Sequence, residues 1–73
     1  MADITIHVDQ YHDEAQRQRL LERFSREGGV HSVTSLPRTP KFVVIGYDSK
    51  QTNSQSLLGM VNAEGLRGEI IGL

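Results

Sequence analysis

The sequence predicts an α+β domain with the element order βαββαβ, in which two helices cover one face of a four-stranded antiparallel sheet. Two observations support this prediction. Apolar residues recur at every second position near the N terminus, and two later segments carry apolar residues at helical spacing with a glycine after the last of them. A length of 73 residues suits one domain of this kind. We therefore expect residues 1–73 to form a single domain.

The first half of the predicted domain is a strand followed by a helix. Ile4, Ile6 and Val8 alternate with polar residues, which is typical of a half-buried strand. Residues 13–27 are rich in helix formers. Asp13 is a natural N-cap, Gln16 completes a capping-box-like pair, and the glycines at 28 and 29 end the helix. The apolar stripe of this helix consists of Leu20, Leu21 and Phe24.

The second half contains two strands, a helix and a last strand. Residues 30–36 form the weaker strand, and residues 41–47 (KFVVIGY) form the stronger one because they are β-branched and aromatic. The proline-containing segment 37–40 is predicted to connect them outside the ladder. Thr52 and Gln55 are predicted to cap a helix that ends at Gly65, and residues 66–73 form the last strand. Leu57, Leu58 and Val61 form the stripe of that helix. Two strand–helix–strand units joined by a hairpin give a ferredoxin-like fold.

Composition excludes several classes of function. Eight basic and nine acidic residues are mixed along the chain, so we expect neither nucleic-acid binding nor membrane attachment. Cysteine is absent, which excludes disulfides, thiolate metal sites and a cysteine nucleophile. The sequence contains no G-x-S-x-G elbow, glycine-rich phosphate loop or H-E-x-x-H motif. These features, with no signal-peptide pattern, predict a soluble cytoplasmic protein that is not an enzyme and holds no cofactor.

Short motifs at consistent spacing run through the chain. Tyr11 follows the first strand, Leu20 and Phe24 lie four positions apart, and residues 29–30 (GV), 45–48 (IGYD) and 65–66 (GL) follow in order. In these features the chain resembles the heavy-metal-associated (HMA) family of copper chaperones and metal-ATPase N-terminal domains. That family has M-x-C-x-x-C at the start of its first helix, then G-V, V-x-Y-D and G-Y. The resemblance implies the same ferredoxin-like fold and places Tyr11 at the position of the family's methionine.

The resemblance fails at the metal-binding residues. The two cysteine positions of the family are occupied by Asp13 and Gln16. In the family, two thiolates at a helix N terminus bind a soft ion such as Cu(I). Asp13 supplies a hard oxygen and Gln16 a neutral amide, and neither is a good ligand for a soft ion. The transfer of Cu(I) that the resemblance would imply is therefore not expected of this chain.

Two interpretations of this pair remain open, and we favour helix capping because it needs this residue pair at this spacing. In the other interpretation Asp13 belongs to a remodelled metal site, with His12 adding an imidazole and Asp9 or Glu14 a second carboxylate. His12 and Asp13 are the weak candidates for metal ligands. A metal site between His7 and His31 would require both side chains to lie on adjacent strands, at the same height along them. We favour the interpretation that these two histidines are solvated.

The strand at 41–47 also predicts a contact surface. If Val43, Ile45 and Tyr47 face the helices, then Phe42 and Val44 point to the opposite, uncovered face of the sheet. One of the isoleucines at 70 and 71 lies on that face too, as does His7. An apolar cluster on an open sheet face favours a contact with a second copy or with another protein.

We therefore expect an HMA-like protein-interaction or adaptor module without an intrinsic soft-metal site. The alternative is a metal-ion binding or trafficking protein that uses His12 with nearby carboxylates, or ligands donated by a partner. A third class, a small-molecule regulatory domain of the ACT type, shares the fold plan, but no residue argues for it. The predicted partner-binding residues are Tyr11, His12, Asp13, Gln16, Phe42 and Val44.

Overall fold

The computed structural model describes residues 2–36 and 38–71. It contains six elements in the predicted order, βαββαβ. The strands are β1 (Ala2–Val8), β2 (Val30–Leu36), β3 (Thr39–Tyr47) and β4 (Gly68–Ile71), and the helices are α1 (Glu14–Arg26) and α2 (Ser54–Ala63). No helix in this part of the chain combines the length and the apolar character needed to cross a membrane.

The four strands form one antiparallel sheet in the order β2-β3-β1-β4. The two central strands are β1 and β3, and their register places Ile6 opposite Val43. On its other side, Ile6 is opposite Ile70 of β4. Strand alternation therefore puts these three side chains on one face of the sheet, the face that both helices cover.

The core lies between this sheet face and the two helices. Leu20 and Phe24 of α1 and Leu57 and Val61 of α2 are completely buried, as the sequence predicted. Leu21 and Leu58 lie at the edge of the core and are only partly buried. The fully buried residues of the sheet are Ile6, Val8, Val43 and Ile45. The predicted α+β sandwich with both helices on one face is thus confirmed.

The connection between β2 and β3 is shorter than predicted. The strand β3 begins at Thr39, two residues before the predicted start, and Thr39 pairs with Leu36. Pro40 therefore lies inside the strand and not in the connection, while Pro37 lies outside the described residues. The ladder between β1 and β3 extends only as far as Phe42. Pro40 lies beyond that ladder, where a missing N–H removes no bond to β1.

The cap of α2 also differs from the prediction. Asn53 is the N-cap, and its Oδ1 accepts a hydrogen bond from the Ser56 N–H at 2.8 Å. The predicted pair of Thr52 and Gln55 was wrong because the Thr52 N–H donates to the Asp48 carbonyl in the preceding turn and its side chain is buried. Both residue types can cap a helix, so the tertiary position of Thr52 decides between them.

The other end of α2 follows the prediction for Gly65 and corrects the start of β4. Gly65 has φ +78° and donates to the Asn62 carbonyl, while the Leu66 N–H donates to the Val61 carbonyl. This is a Schellman motif, and its apolar residue Leu66 is buried in the core. The strand β4 therefore begins at Gly68 and not at residue 66, and residues 72–73 lie outside the described part.

Candidate functional site

The loop before α1 and the first turn of α1, which we call the N-cap segment (residues 9–16), lie at one end of the sheet. The loop between α2 and β4 reaches the same end, because β4 runs antiparallel to β1. The Asp9 N–H donates to the Arg67 carbonyl at 2.8 Å. The N-cap segment is therefore attached to the second half of the chain as well as to its own helix.

Asp13 and Gln16 form the predicted capping pair. Asp13 has extended backbone angles, and its Oδ1 accepts a hydrogen bond from the Gln16 N–H at 2.8 Å. The Gln16 Oε1 in turn accepts from the His12 N–H at 2.7 Å. In the usual capping box the reciprocal bond goes to the N-cap residue. Here it goes to the residue before it, and two backbone N–H groups are satisfied all the same.

Gln16 makes one more contact that the sequence did not indicate. Its side chain is only 5% exposed, and its Nε2 donates to the backbone carbonyl of Glu64 at 3.1 Å. The oxygen of the Gln16 amide is thus bonded to the N-cap segment, and its nitrogen is bonded to the end of α2. The carboxylate of Glu64 accepts from Arg23 at 2.5 Å and lies 3.9 Å from Arg19, which adds a second link between the helices.

Tyr11 packs its ring against the core and buries its hydroxyl. Within the described part of the chain this hydroxyl has no hydrogen-bond partner. Burial raises the pKa of the Tyr11 hydroxyl above its ordinary value of 10.0, Arg17 opposes this shift, and Glu14 adds to it. Tyr11 is consequently a neutral, largely structural side chain with one edge at the surface.

Arg17 is a residue at this end that sequence reasoning missed. Its side chain is only 15% exposed; its Nη1 donates to Glu14 at 2.6 Å and its Nη2 donates to the Ser35 hydroxyl. Arg17 thereby ties α1 to β2. In the sequence, Arg17 is one of several charged residues of this helix, and such residues are usually solvated. No sequence signal distinguishes Arg17 from the others.

The polar side chains of the two capping residues are engaged in hydrogen bonds. Asp13 Oδ1 and both polar atoms of the Gln16 amide are already hydrogen-bonded, and Gln16 is buried. His12 is exposed. Across residues 2–36 and 38–71, no three His, Cys, Asp or Glu side chains converge as a metal site would need. The remodelled metal site with His12, Asp13 and a second carboxylate is therefore not assembled within the described part of the chain.

The sheet topology separates the other two histidines. Strand β3 lies between β1, which carries His7, and β2, which carries His31. His7 pairs with Phe42 near the start of β3, whereas His31 lies at a bulge between partners of Tyr47 and Gly46 near its end. The separation along the strand is about 13 Å at roughly 3.3 Å per residue. The two imidazoles cannot share an ion.

The uncovered face of the sheet, which we call the open face, carries Phe42 and Val44 as predicted. The Phe42 and His7 rings are in contact, with centroids 5.0 Å apart and planes inclined by 53°. Phe42 and Val44 are half-buried, so they expose less surface than a bare apolar cluster would. Ile71 is 37% exposed and is the isoleucine that shares this face, since it pairs with Thr5.

A shallow depression lies where the open face meets the N-cap segment. It has a volume of about 310 Å³. Its lining combines two carboxylates, an imidazole and a guanidinium group, from Asp9, Glu69, His7 and Arg67. This mixture of charges selects no class of small ligand, and we assign it none.

Known proteins resemble this chain in structure and not in overall sequence. No family model and no curated protein matches the sequence. Solved structures do match: a copper binding domain from HMA7, a P-type ATPase, superposes with a TM-score of 0.85 at 14% identity, covering 99% of this chain and 96% of that one. The chain has the heavy-metal-associated domain fold. Oxidized MerP from Ralstonia metallidurans CH34 gives 0.84 at 20% identity over 97% of each chain.

A third solved structure also matches this HMA-fold chain over most of its length. The copper chaperone of Enterococcus hirae, in its apo form, gives a TM-score of 0.80 at 19% identity, covering 93% of this chain and 98% of that one. Coverage is nearly complete on both sides in all three comparisons. The likeness in fold thus extends over the whole domain, while the cysteine-free sequence separates this chain from the family pattern at the positions of Asp13 and Gln16.

Proposed function

We propose that this HMA-fold chain is a non-catalytic interaction or adaptor module that docks a partner through its N-cap segment without carrying a soft metal ion. One observation supports this most strongly. Asp13 and Gln16, at the two positions where the family has thiolates, are joined to each other and to Glu64 by hydrogen bonds. The segment uses these two side chains for internal bonds.

The energetics favour capping over coordination. To turn toward an ion, Gln16 would have to leave both the His12 N–H and the Glu64 carbonyl without a partner. Each buried polar group left unsatisfied costs about 1–3 kcal/mol. A neutral amide oxygen binds Cu(I) weakly, so the ion would not compensate for this loss. The hydrogen-bonded arrangement is therefore the one the segment retains.

The same bonds prepare the segment for docking. A surface fixed in one conformation loses less entropy on binding than a mobile loop does. His12 and Asp13 are exposed on this fixed segment, and Tyr11 contributes a half-buried aromatic edge. Residues 9–16 contain three acidic residues and no lysine or arginine. The segment thus suits a partner that presents basic side chains around an apolar contact.

We further propose that this partner is a domain of the same fold in a metal-transporting ATPase. The support is that the matching solved structures include such an ATPase domain and a copper chaperone. The test is a titration of the ¹⁵N-labelled chain with the N-terminal domain of a copper-transporting ATPase from the same organism. We expect chemical-shift changes confined to residues 9–16 and their neighbours, and weaker binding for His12→Ala and for Asp13→Asn, which removes a charge and keeps the helix cap.

A matched control is Ser49→Ala, an exposed position on the loop after β3, at the opposite end of the sheet. It should bind as the unchanged chain does. Binding that is equally weakened by Ser49→Ala, or no shift changes at all in residues 9–16, would refute docking through the N-cap segment.

The alternative, metal binding completed by a partner, rests on the exposed imidazole of His12, whose backbone N–H alone is used by Gln16. In this alternative Zn²⁺ should strengthen the complex with the ATPase domain, and His12→Ala should remove that effect. His31→Ala, a second exposed histidine, is the control. An equal effect of Zn²⁺ on all three proteins would exclude His12 as a ligand.

A further inference from the structure

The open face is graded in side-chain size along its strands. Cross-strand pairing arranges its residues in three rows. The row nearest the N-cap segment is bulky, and the row at the far end is small, with a glycine at its centre. From bulky to small, the rows are Phe42, His7 and Glu69, then Thr34, Val44, Thr5 and Ile71, then Ser32, Gly46 and Asp3.

The small row contains a dip on β3. A Cβ added at Gly46 would lie 2.6 Å from the Ser32 hydroxyl oxygen, so this hydroxyl leans over the dip and fills part of it, while Gly46 forms its floor. Phe42 lies on the same strand and the same face, four residues earlier. One face of one strand thus carries a large aromatic ring and, about 13 Å away at roughly 3.3 Å per residue, a place without a side chain.

This gradient fits a second copy of the same face in one orientation. A twofold axis that lies across the strands, over the middle row, keeps each strand above its own counterpart and reverses its direction. Phe42 then stands over Gly46 of the second copy, and Val44 meets Val44. An axis along the strands would instead stack the bulky rows on each other and leave the small rows apart. Since packed sheets keep a spacing of about 10 Å, only the first arrangement fills the layer evenly.

Charge follows the same symmetry. On β1, His7 and Asp3 lie four residues apart on the open face. The axis across the strands therefore places each imidazole over a carboxylate of the other copy, as a donor over an acceptor. Size on β3 and charge on β1 thus select the same axis independently.

We propose that the open face is the interface of a symmetric homodimer, in which Phe42 of each copy packs into the dip at Gly46 of the other. This rests on the proposed function insofar as the chain acts through protein contacts. The ten positions of these rows cover roughly 300 Å² per copy, less than half of what a standard stable interface buries on each side. The dimer is therefore weak, and it forms at high local concentration.

The first test uses the unchanged protein. Sedimentation from about 10 μM to about 1 mM should show a monomer–dimer equilibrium, since a small interface corresponds to a dissociation constant in the upper part of that range. In a mixture of ¹³C-labelled and unlabelled chains, a filtered NOE should connect the Phe42 ring with the Gly46 α protons. Within one chain these groups are too far apart for an NOE. A monomer throughout, or a dimer without this NOE, would overturn the proposal.

The second test moves the aromatic ring from position 42 to position 46. Both variants carry Ser32→Ala, which removes the hydroxyl that a Cβ at residue 46 would meet, and Ser32→Ala alone is the control that should still dimerise. In the Phe42→Ala homodimer, the alanine at position 42 of each copy would lie over Gly46 of the other and leave a gap. In the Gly46→Phe homodimer, Phe42 of each copy would collide with the new ring at position 46 of the other. Each alone should weaken dimerisation at least tenfold. Mixed in equal amounts they should associate, because both contacts are complementary again. A mixture no tighter than either variant alone would contradict the geometry.

Different results would refute the dimer interface and the docking through the N-cap segment. The Gly46→Phe variant with Ser32→Ala should leave the titration with the ATPase domain unchanged, because both residues lie in the small row, at the end of the sheet away from the N-cap segment. Loss of dimerisation with retained ATPase-domain binding supports the dimer interface without touching the proposed function. Dimerisation that persists in Phe42→Ala refutes the interface, whatever the ATPase domain does.

Discussion

The amide of Gln16 joins two parts of the chain that are 48 positions apart in sequence, the start of α1 and the end of α2. Its Nε2 donates to the Glu64 carbonyl at 3.1 Å while its Oε1 accepts from the His12 N–H at 2.7 Å. At this position the HMA family has its second cysteine. In this chain the side chain at that position stabilises the loop internally.

Replacing Gln16 by leucine should lower the free energy of unfolding by about 1–3 kcal/mol, because two partly buried backbone groups lose their partner. The exposed Gln18, whose amide donates to Glu14 at 3.1 Å, provides the matched control. Gln18→Leu should change stability by less than about 0.5 kcal/mol. Urea denaturation of both variants measures the difference, and equal effects would show that the link to Glu64 contributes nothing.

Asp13→Ala should destabilise the domain by about 0.5–2 kcal/mol, since the Gln16 N–H loses its cap. Asp13→Asn and Asp13→Ser should be tolerated because both side chains can accept the same bond. Thermal melts with and without Zn²⁺ test the capping account. A metal-dependent rise in the melting temperature that disappears in Asp13→Asn would show that Asp13 is a ligand.

Phe24 is completely buried between α1 and the sheet. Phe24→Ala should cost about 3–5 kcal/mol and leave the isolated domain largely unfolded at 25 °C. Circular dichroism measures the loss, with the exposed neighbour Ser25→Ala as a control. A melting point near that of the unchanged protein would mean that the assignment of the core is incorrect.

The sequence was sufficient for the fold because its local signals agree with one another. The alternation of Ile6 and Val8, the stripe of Leu20 and Phe24, and the stop at Gly65 each point to one element and one face. It was insufficient where the deciding contact is distant. Asn53 caps α2 because Thr52 is drawn into the turn from Asp48, and no local rule separates the two.

In the candidate site, too, the local contact was predictable from the sequence and the distant contacts were not. The pairing of Asp13 with Gln16 is local, three residues apart, and could be predicted. The bond from Gln16 to Glu64 and the bond from Arg17 to Ser35 join elements that only the folded chain brings together. Open-face residues were predictable from strand alternation, but their grading into rows depends on the register of β1 and β3.

Substitution by alanine should have opposite effects on stability at two glycines in the second half of the chain. A Cβ at Gly59, within α2, would meet open space, so Gly59→Ala should stabilise by about 0.5–1 kcal/mol through the helix propensity of alanine. A Cβ at Gly68 would lie 2.9 Å from Val61 Cγ1 and 3.0 Å from Leu58 Cδ1. Gly68→Ala should therefore destabilise by about 1–3 kcal/mol through overpacking. Thermal unfolding compares the pair, and effects of the same sign would contradict the close packing of α2 on β4.

The central claim is that an HMA fold here carries no soft-metal site, and competition for Cu(I) tests it most directly. The purified chain is titrated against a strong Cu(I) chelator whose absorbance reports its loaded form, with the double variant Asp13→Cys/Gln16→Cys as positive control. The account predicts that the unchanged chain removes no Cu(I), whereas the double variant does, because thiolates at this helix start bind the soft ion. Removal of Cu(I) from the chelator by the unchanged chain would contradict the account.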